Sequence, residues 1–390
     1  MNNSYYSQQS QFDRELNYTF NKLWLFAGLT LELNDKNCIL KKINNQNIIL
    51  VKDQDKYFAY KNICPHRHNK LLLNDAQLNY ISCKYHGWSF NLKGKCVDQP
   101  FIDKTNECNL YSINIKVLGK LIFINFEENP IKLEKQFSRK LISDLTDLSL
   151  YICDYKIESV SRRFNWKLMQ DNLRDSLHPF FIHKDTLLNA ICFEKPGIAK
   201  DIPETFLFLE HASYGGPDVA LKEVFEDKRF INKWPCEQRY YNYFIYPNLH
   251  IACADNGKSF VIENYIPTSP STTTIEVYYS LTENSLNNTE KNELFMNLHC
   301  SASKIYNEDF TILENIQTNY TFTIFKEKLI SHKHTHYDLM IKRFHTIHRM
   351  YTISLWERLL LRLMKVHKAI AFLILYLLKK YSFLNKTTKA

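Results

Sequence analysis

Residues 62–73 read NICPHRHNKLLL, and the use made of Cys64, His66 and His68 decides the fold of the first part of the chain. Cys64 and His66 are spaced C-x-H. Nineteen residues after Cys64, CKYHGW supplies Cys83 and His86 spaced C-x-x-H. Two cysteines and two histidines suit tetrahedral zinc, or a [2Fe–2S] cluster in which one iron carries His in place of Cys. Three features favour the cluster. Each pair offers one Cys and one His from one loop, so two loops can give both thiolates to one iron and both imidazoles to the other. The flanking runs look like β hairpins, and the helix that carries the paired histidines of a common zinc finger is absent. Pro65, Gly87 and Trp88 suit tight loops that shield a buried group.

Outward from these loops, residues 45–130 break into short β-type runs. IILV (48–51) and YFAY (57–60) flank the polar turn KDQDK, and SINIKVLGKLIFINF (112–126) repeats the pattern around Gly119. From 131 to 185 the text turns helical. TFLFLEHA, RYYNYFIYPNLHIACA, SFVIENYIP and TTTIEVYYSLT then suggest one antiparallel sheet, before helical patterns over 288–330 and 338–380. The expected class is α+β. Its expected parts are a leader at 1–44, a small antiparallel β domain at 45–130, a larger domain at 131–350 and a basic, apolar helical tail at 351–390.

C-P-H-R followed by C-x-Y-H-G-W-x-F resembles the signature of Rieske iron–sulfur domains, in the form carried by ring-hydroxylating oxygenase α subunits. The resemblance implies that Cys64 and Cys83 ligate one iron and His66 and His86 the other. It makes His68 a neighbour of the cluster, standing where relatives commonly have a small residue such as Gly. It also implies a larger, helix-grip-like catalytic domain with an antiparallel sheet and long C-terminal helices.

A second constellation sits in DNLRDSLHPFFIH, where Asp175, His178 and His183 form D-x-x-H-x4-H. On a helix Asp175 and His178 share a face, and Pro179 breaks the step to His183. Two histidines and one carboxylate on one side of a metal leave positions open for O2 and substrate, as in non-haem Fe(II) oxygenases. Ordinary polar positions on a helix are the bland alternative. The stretch resembles the same family's N-W-K-x3-E-N-x2-D-x-x-H-x4-H at Asn165, Trp166, Lys167, Asn172, Asp175, His178 and His183, with Asp171 in place of the usual Glu.

The resemblance implies a third ligand late in the chain, on a long helix with a further acid five residues on. Asp309, with Glu314, fits; adjacent Glu308 competes. It makes Asn172 a weak or outer ligand of the iron. It implies that Asp175 bridges to a Rieske histidine of a neighbouring subunit in a head-to-tail homotrimer. The implied activity is that of a terminal oxygenase acting on a small organic substrate and O2, fed by a separate NAD(P)H-dependent reductase or ferredoxin. A Rieske electron carrier without oxygenase activity is the alternative.

With 390 residues, 45% hydrophobic and 14% aromatic, the chain has ample material for a core. Its net charge of +9 is scattered over the first 340 positions, with a basic excess only at the C-terminus, which argues against nucleic acid. Only 8 glycines leave no flavin- or NAD-binding Gly-rich motif, hence the separate electron donor. The ten cysteines and the opening MNNSYYSQQS point to a reducing cytoplasm. H-x-H-x-H at 332–336 reads as a solvated loop leading into a helix. The tail's apolar run Ala369–Leu378, flanked by Lys368, Lys379 and Lys380, is too short to span a bilayer. Peripheral membrane contact and packing on the protein body are its two readings.

Overall fold

The computed structural model describes residues 4–100, 108–175, 178–186, 241–253, 259–282, 285–322, 341, 344–346, 348–349 and 351–352. The expected strand at 205–212, the H-x-H-x-H tract and the tail beyond 352 lie outside the described residues. The strands are β1 (Leu25–Leu29), β2 (Cys38–Ile43), β3 (Gln46–Asp53), β4 (Lys56–Lys61), β5 (Tyr80–Ser82), β6 (Ser89–Asn91), β7 (Cys96–Asp98), β8 (Ser112–Leu118), β9 (Leu121–Asn125), β10 (Asp154–Arg162), β11 (Tyr241–Ile245), β12 (Leu249–Cys253), β13 (Ser259–Ser269) and β14 (Thr272–Leu281). They form three antiparallel sheets. The first has the order β1-β9-β8-β4-β3-β2, the second β10-β14-β13-β12-β11, and the third is the small β5-β6-β7 meander.

The first sheet begins before residue 45. β2 and β3 pair from Ile43–Gln46 outward, and the two-residue turn between them places Asn44 and Asn45 at φ +50° and +58°. That is the left-handed pair a type I′ hairpin requires, and Asn tolerates it. The 1–44 segment is therefore divided. Residues 25–43 supply two strands of this sheet, whereas helices Ser4–Ser7 and Gln9–Glu15 pack on the later domain.

β1 (LFAGL) and β9 (LIFIN) are buried at every position, so they read as continuous apolar runs. Alternate residues serve two different cores. Phe26, Leu29, Leu121 and Phe123 join Leu141, Leu145 and Leu148 of helix Arg139–Leu150, together with Ile251, Ile262 and Tyr278 of the second sheet. Leu25, Ala27, Ile122 and Ile124 face Ile48, Leu50, Trp166 and Phe344. The two modules thus share hydrophobic core instead of touching through a linker. Helix Arg139–Leu150 is capped by Ser138, whose side chain accepts from the Leu141 N–H at 3.1 Å. Its C-terminal turn presses on the β8–β9 turn at Gly119 (φ +57°), where a Cβ would collide with Ser149 Oγ and the Thr146 carbonyl.

The open edge of the first sheet is closed by side-chain amides from the second module. Asn248 donates to the Phe26 carbonyl at 2.9 Å and accepts from its N–H at 3.1 Å. Gln136 makes the same two-way pairing with Trp24 at 2.9 and 2.7 Å. At the opposite end, Lys41 of β2 reaches Glu32 at 2.7 Å and the Tyr278 hydroxyl of β14 at 2.9 Å. Burial works against a charge on Lys41, yet Glu32 and Glu276 hold its ammonium above the ordinary lysine value. Among the described residues no helix is long and apolar enough to cross a membrane.

Candidate metal centres

The two loops named by the sequence lie side by side. The first follows β4 and is curled by Cys64 N–H donating to the Asn69 carbonyl (2.8 Å) and His68 N–H donating to the Cys64 carbonyl (2.9 Å). The second joins β5 to β6, with Cys83 N–H to the Trp88 carbonyl (2.8 Å) and Gly87 N–H to the Cys83 carbonyl (3.0 Å). Gly87 sits at φ +75°, and an added Cβ there would press on Pro100.

Cys64 and Cys83 are buried, while His66 and His86 stand further out with ring centroids 4.6 Å apart. Burial raises the Cys83 thiol, but the backbone N–H groups of Tyr85 and His86 and the Asn69 amide outweigh it and hold the thiol below its ordinary value. Those donors favour the thiolate, the form that ligates metal. Tetrahedral zinc with bonds of about 2.0–2.3 Å needs all four donor atoms gathered around one point. Among the described residues only His178, His183 and Asp309 bring three metal-capable atoms within 4.8 Å of one another. The Cys64/Cys83/His66/His86 set is therefore too spread for one ion. An inner thiolate pair with an outer imidazole pair fits a two-iron cluster.

The second centre is assembled from three segments. Helix Trp166–Arg174 starts on Asn165, whose side chain accepts from the Lys167 N–H at 3.0 Å. It ends one residue before Asp175, which is extended (φ −86°, ψ 108°). The break thus comes earlier than the sequence suggested, and Asp175 does not share a helical face with His178. The cause is Pro179, which opens a new short helix Pro179–Ile182 at its first position. His178 precedes that helix and His183 closes it. The third segment is the long helix Asn288–Phe322, which carries Glu308 and Asp309.

Both imidazoles turn Nε2 towards Asp309. His178 Nδ1 donates to the Asp175 carbonyl at 2.6 Å, and its Nε2 lies 3.6 Å from Asp309 Oδ1. His183 Nδ1 donates to Glu308 Oε2 at 2.7 Å, and its Nε2 lies 3.1 Å from Asp309 Oδ1. With each Nδ1 proton engaged, each Nε2 is the nitrogen left for a metal. Burial lowers His183, but Asp309 and Glu308 outweigh it and hold its ring above the ordinary histidine value. Burial keeps His178 below the ordinary histidine value despite Asp309 beside it, so its ring is neutral and suited to a metal. Asn172 donates to Asp309 Oδ1 at 2.8 Å, and Thr186 donates to Glu308 at 2.7 Å. Glu308 thus meets the outer nitrogen of His183, and Asp309 the inner one. Three protein donors, two imidazoles and one carboxylate, suit a metal that must also take other ligands.

Around this centre Glu15, Tyr6 and Gln317 were not singled out by the sequence, and Asp171 and Glu314 were named without the partners they have here. Buried Glu15 accepts from Lys167 Nζ at 2.6 Å and from the Trp166 indole at 2.8 Å, with His348 at 3.3 Å. Asp171 accepts from the Tyr6 hydroxyl at 2.6 Å and lies 2.8 Å from His345. Glu314 and Gln317 accept from the backbone N–H groups of Arg163 and Asn165, locking the long helix to the start of helix Trp166–Arg174. A charged residue at position 15 carries no local signal of a partner some 150 residues away.

A Rieske module sharing its core with a domain that holds two histidines and a carboxylate is the architecture of a two-centre iron protein, one centre for electrons and one open to other ligands. The chain belongs to the ring-hydroxylating α-subunit family. The family profile "Rieske [2Fe-2S] domain" matches residues 23–115, and "Ring hydroxylating alpha subunit (catalytic domain)" matches residues 151–351. This family carries a Rieske [2Fe–2S] cluster and a mononuclear non-haem iron, and the donor sets above fit both.

The chain is 28% identical over 186 residues to the carnitine monooxygenase oxygenase subunit of Acinetobacter pittii, covering 45% of this chain and 50% of that one. It is 26% identical over 198 residues to the glycine betaine monooxygenase oxygenase subunit of Pseudomonas aeruginosa, covering 47% and 44%. The chain thus spans about half the length of the relatives it matches in sequence. In fold it is similar to the quaternary ammonium Rieske monooxygenase CntA in complex with L-carnitine, with a TM-score of 0.66 at 16% identity over 90% of this chain and 95% of that one. Naphthalene 1,2-dioxygenase with indole bound gives 0.59 at 17% identity over 82% and 80%.

Proposed function

We propose that this chain is the terminal oxygenase of a Rieske non-haem iron system that oxidises a trimethylammonium compound. The observation that carries the reading is the convergence of His178, His183 and Asp309 within 4.8 Å in a chain that also carries the Rieske loops. In this reading Cys64, Cys83, His66 and His86 hold the cluster, and His178, His183 and Asp309 hold Fe(II). When bound, the cluster supplies single electrons and the mononuclear iron activates O2 for attack on a carbon–hydrogen bond. Hydroxylation at an N-methyl or adjacent carbon is the outcome favoured by the carnitine, glycine betaine and choline monooxygenases among the relatives.

The chain's own residues do the positioning. Glu308 keeps the His183 Nδ1 proton in place, the Asp175 carbonyl does the same for His178, and Asn172 restrains the Asp309 carboxylate. Electrons come from a separate NAD(P)H-dependent reductase or ferredoxin. Asp175, three residues before His178, meets a Rieske histidine of the next subunit in a head-to-tail homotrimer. The test is product analysis with labelled O2, a generic reductase, and a panel of trimethylammonium compounds and aromatic hydrocarbons. One labelled oxygen in a trimethylammonium product supports the reading. Label only in aromatic diols overturns the substrate class. Two irons per chain in place of about three, with no labelled product, overturns the oxygenase.

A further inference from the structure

Three of the tryptophans lie among the described residues. Trp24 donates its indole N–H to the Ile131 carbonyl at 2.7 Å, and Trp166 donates to Glu15 at 2.8 Å. Trp88 differs. It is 6% exposed, and its Nε1 is buried with no hydrogen-bond partner among the described residues. Indole N–H groups in protein interiors are donors only and are costly to leave unmet. This one sits in the second cluster loop, two residues after His86. Its carbonyl accepts from Cys83 N–H, and its ring lies flat against His66 with centroids 4.7 Å apart and planes within 3°.

This unpartnered donor lies in a position pressed against one proposed cluster ligand and bonded through its backbone to another. The acceptors that a [2Fe–2S] cluster brings are its sulfurs. We infer that the Trp88 indole N–H is reserved for the cluster, donating to one of its sulfurs and so tuning its potential. Reduction adds negative charge to the cluster, and a donor aimed at sulfur favours the reduced form. Trp88 therefore raises the potential relative to a ring without the N–H, while its face keeps His66 in orientation. The inference concerns the cluster alone and stands whether or not the trimethylammonium reading holds.

The experiment compares the full-length, cluster-loaded protein with Trp88→Phe, which keeps an aromatic face on His66 and removes the donor. Midpoint potentials are read by spectroelectrochemical titration without O2 or substrate. The expected result is unchanged cluster content and visible spectrum with a lower midpoint potential in Trp88→Phe. An unchanged potential in a fully loaded variant overturns the inference. Should the variant lose its cluster, ultraviolet resonance Raman of the wild-type indoles decides. The N–H band shifts on cluster loading if Trp88 donates, and an identical band in loaded and cluster-free protein overturns the inference.

Discussion

Glu308 and Asp309 are neighbours on one helix, yet they meet opposite nitrogens of the same imidazole. Glu308→Gln keeps the shape but weakens the hold on the His183 Nδ1 proton. Iron affinity is expected to fall roughly 10–100-fold, read by metal titration of the apo-protein. Asp309→Asn should lose the mononuclear iron and keep the cluster. The sequence could not choose between the two acids, because adjacent helix positions point about 100° apart and only the fold says which direction holds His183. The loops that carry the proposed cluster ligands were legible because their spacing is local to two short stretches. His68 reads as the surplus histidine for the same reason. Its φ of +57° adds that the position favours Gly. His68→Gly should keep the visible spectrum of the cluster and gain about 1 kcal/mol of stability in urea unfolding, whereas His66→Gly should abolish that spectrum.

At the scale of elements, helix Trp166–Arg174 is the part that ties Tyr6, Glu15, His345 and His348 to the second centre. Its first turn, N-W-K, looked like a family signature; physically it is a cap and two donors to Glu15. Burial alone would raise the Glu15 carboxyl, but Lys167 and His348 outweigh it and hold it at about 2, below the usual value of 4.5. A carboxylate depressed in the folded state stabilises the fold above its unfolded value and loses that contribution as pH falls. The window runs from about 4.5 down to about 2 and is worth on the order of 3 kcal/mol. Glu15→Gln leaves Lys167 buried without its counter-ion and should cost roughly 3–5 kcal/mol at pH 7. Urea unfolding across pH checks both, since the variant should lack the acid-dependent loss in that window. None of this could be read from the sequence, where Glu15, Lys167 and His348 are far apart and each looks like an ordinary surface residue. The β2–β3 hairpin is a different case. Asn44–Asn45 is a local turn signal, since Asn tolerates the positive φ that the two-residue hairpin needs.

At the scale of the whole molecule, the proposed ring makes Asp175 the point where two subunits cooperate. Asp175→Asn should leave about three irons per chain and a reducible cluster, while uncoupling cluster oxidation from product formation. Single-turnover kinetics read this directly, and a variant of full activity would remove Asp175 from the path. The sharing of core between modules has a practical consequence for anyone building hybrids. Trp24 and Phe26 take their edge partners from Gln136 and Asn248, and Lys41 takes the Tyr278 hydroxyl from β14. A Rieske module cut out at its profile boundaries and grafted onto a relative's catalytic domain would carry an open strand edge and a Lys41 left with Glu32 but without the Tyr278 hydroxyl. The counterparts of Gln136, Asn248 and Tyr278 travel with the graft, or the chimaera aggregates along β1.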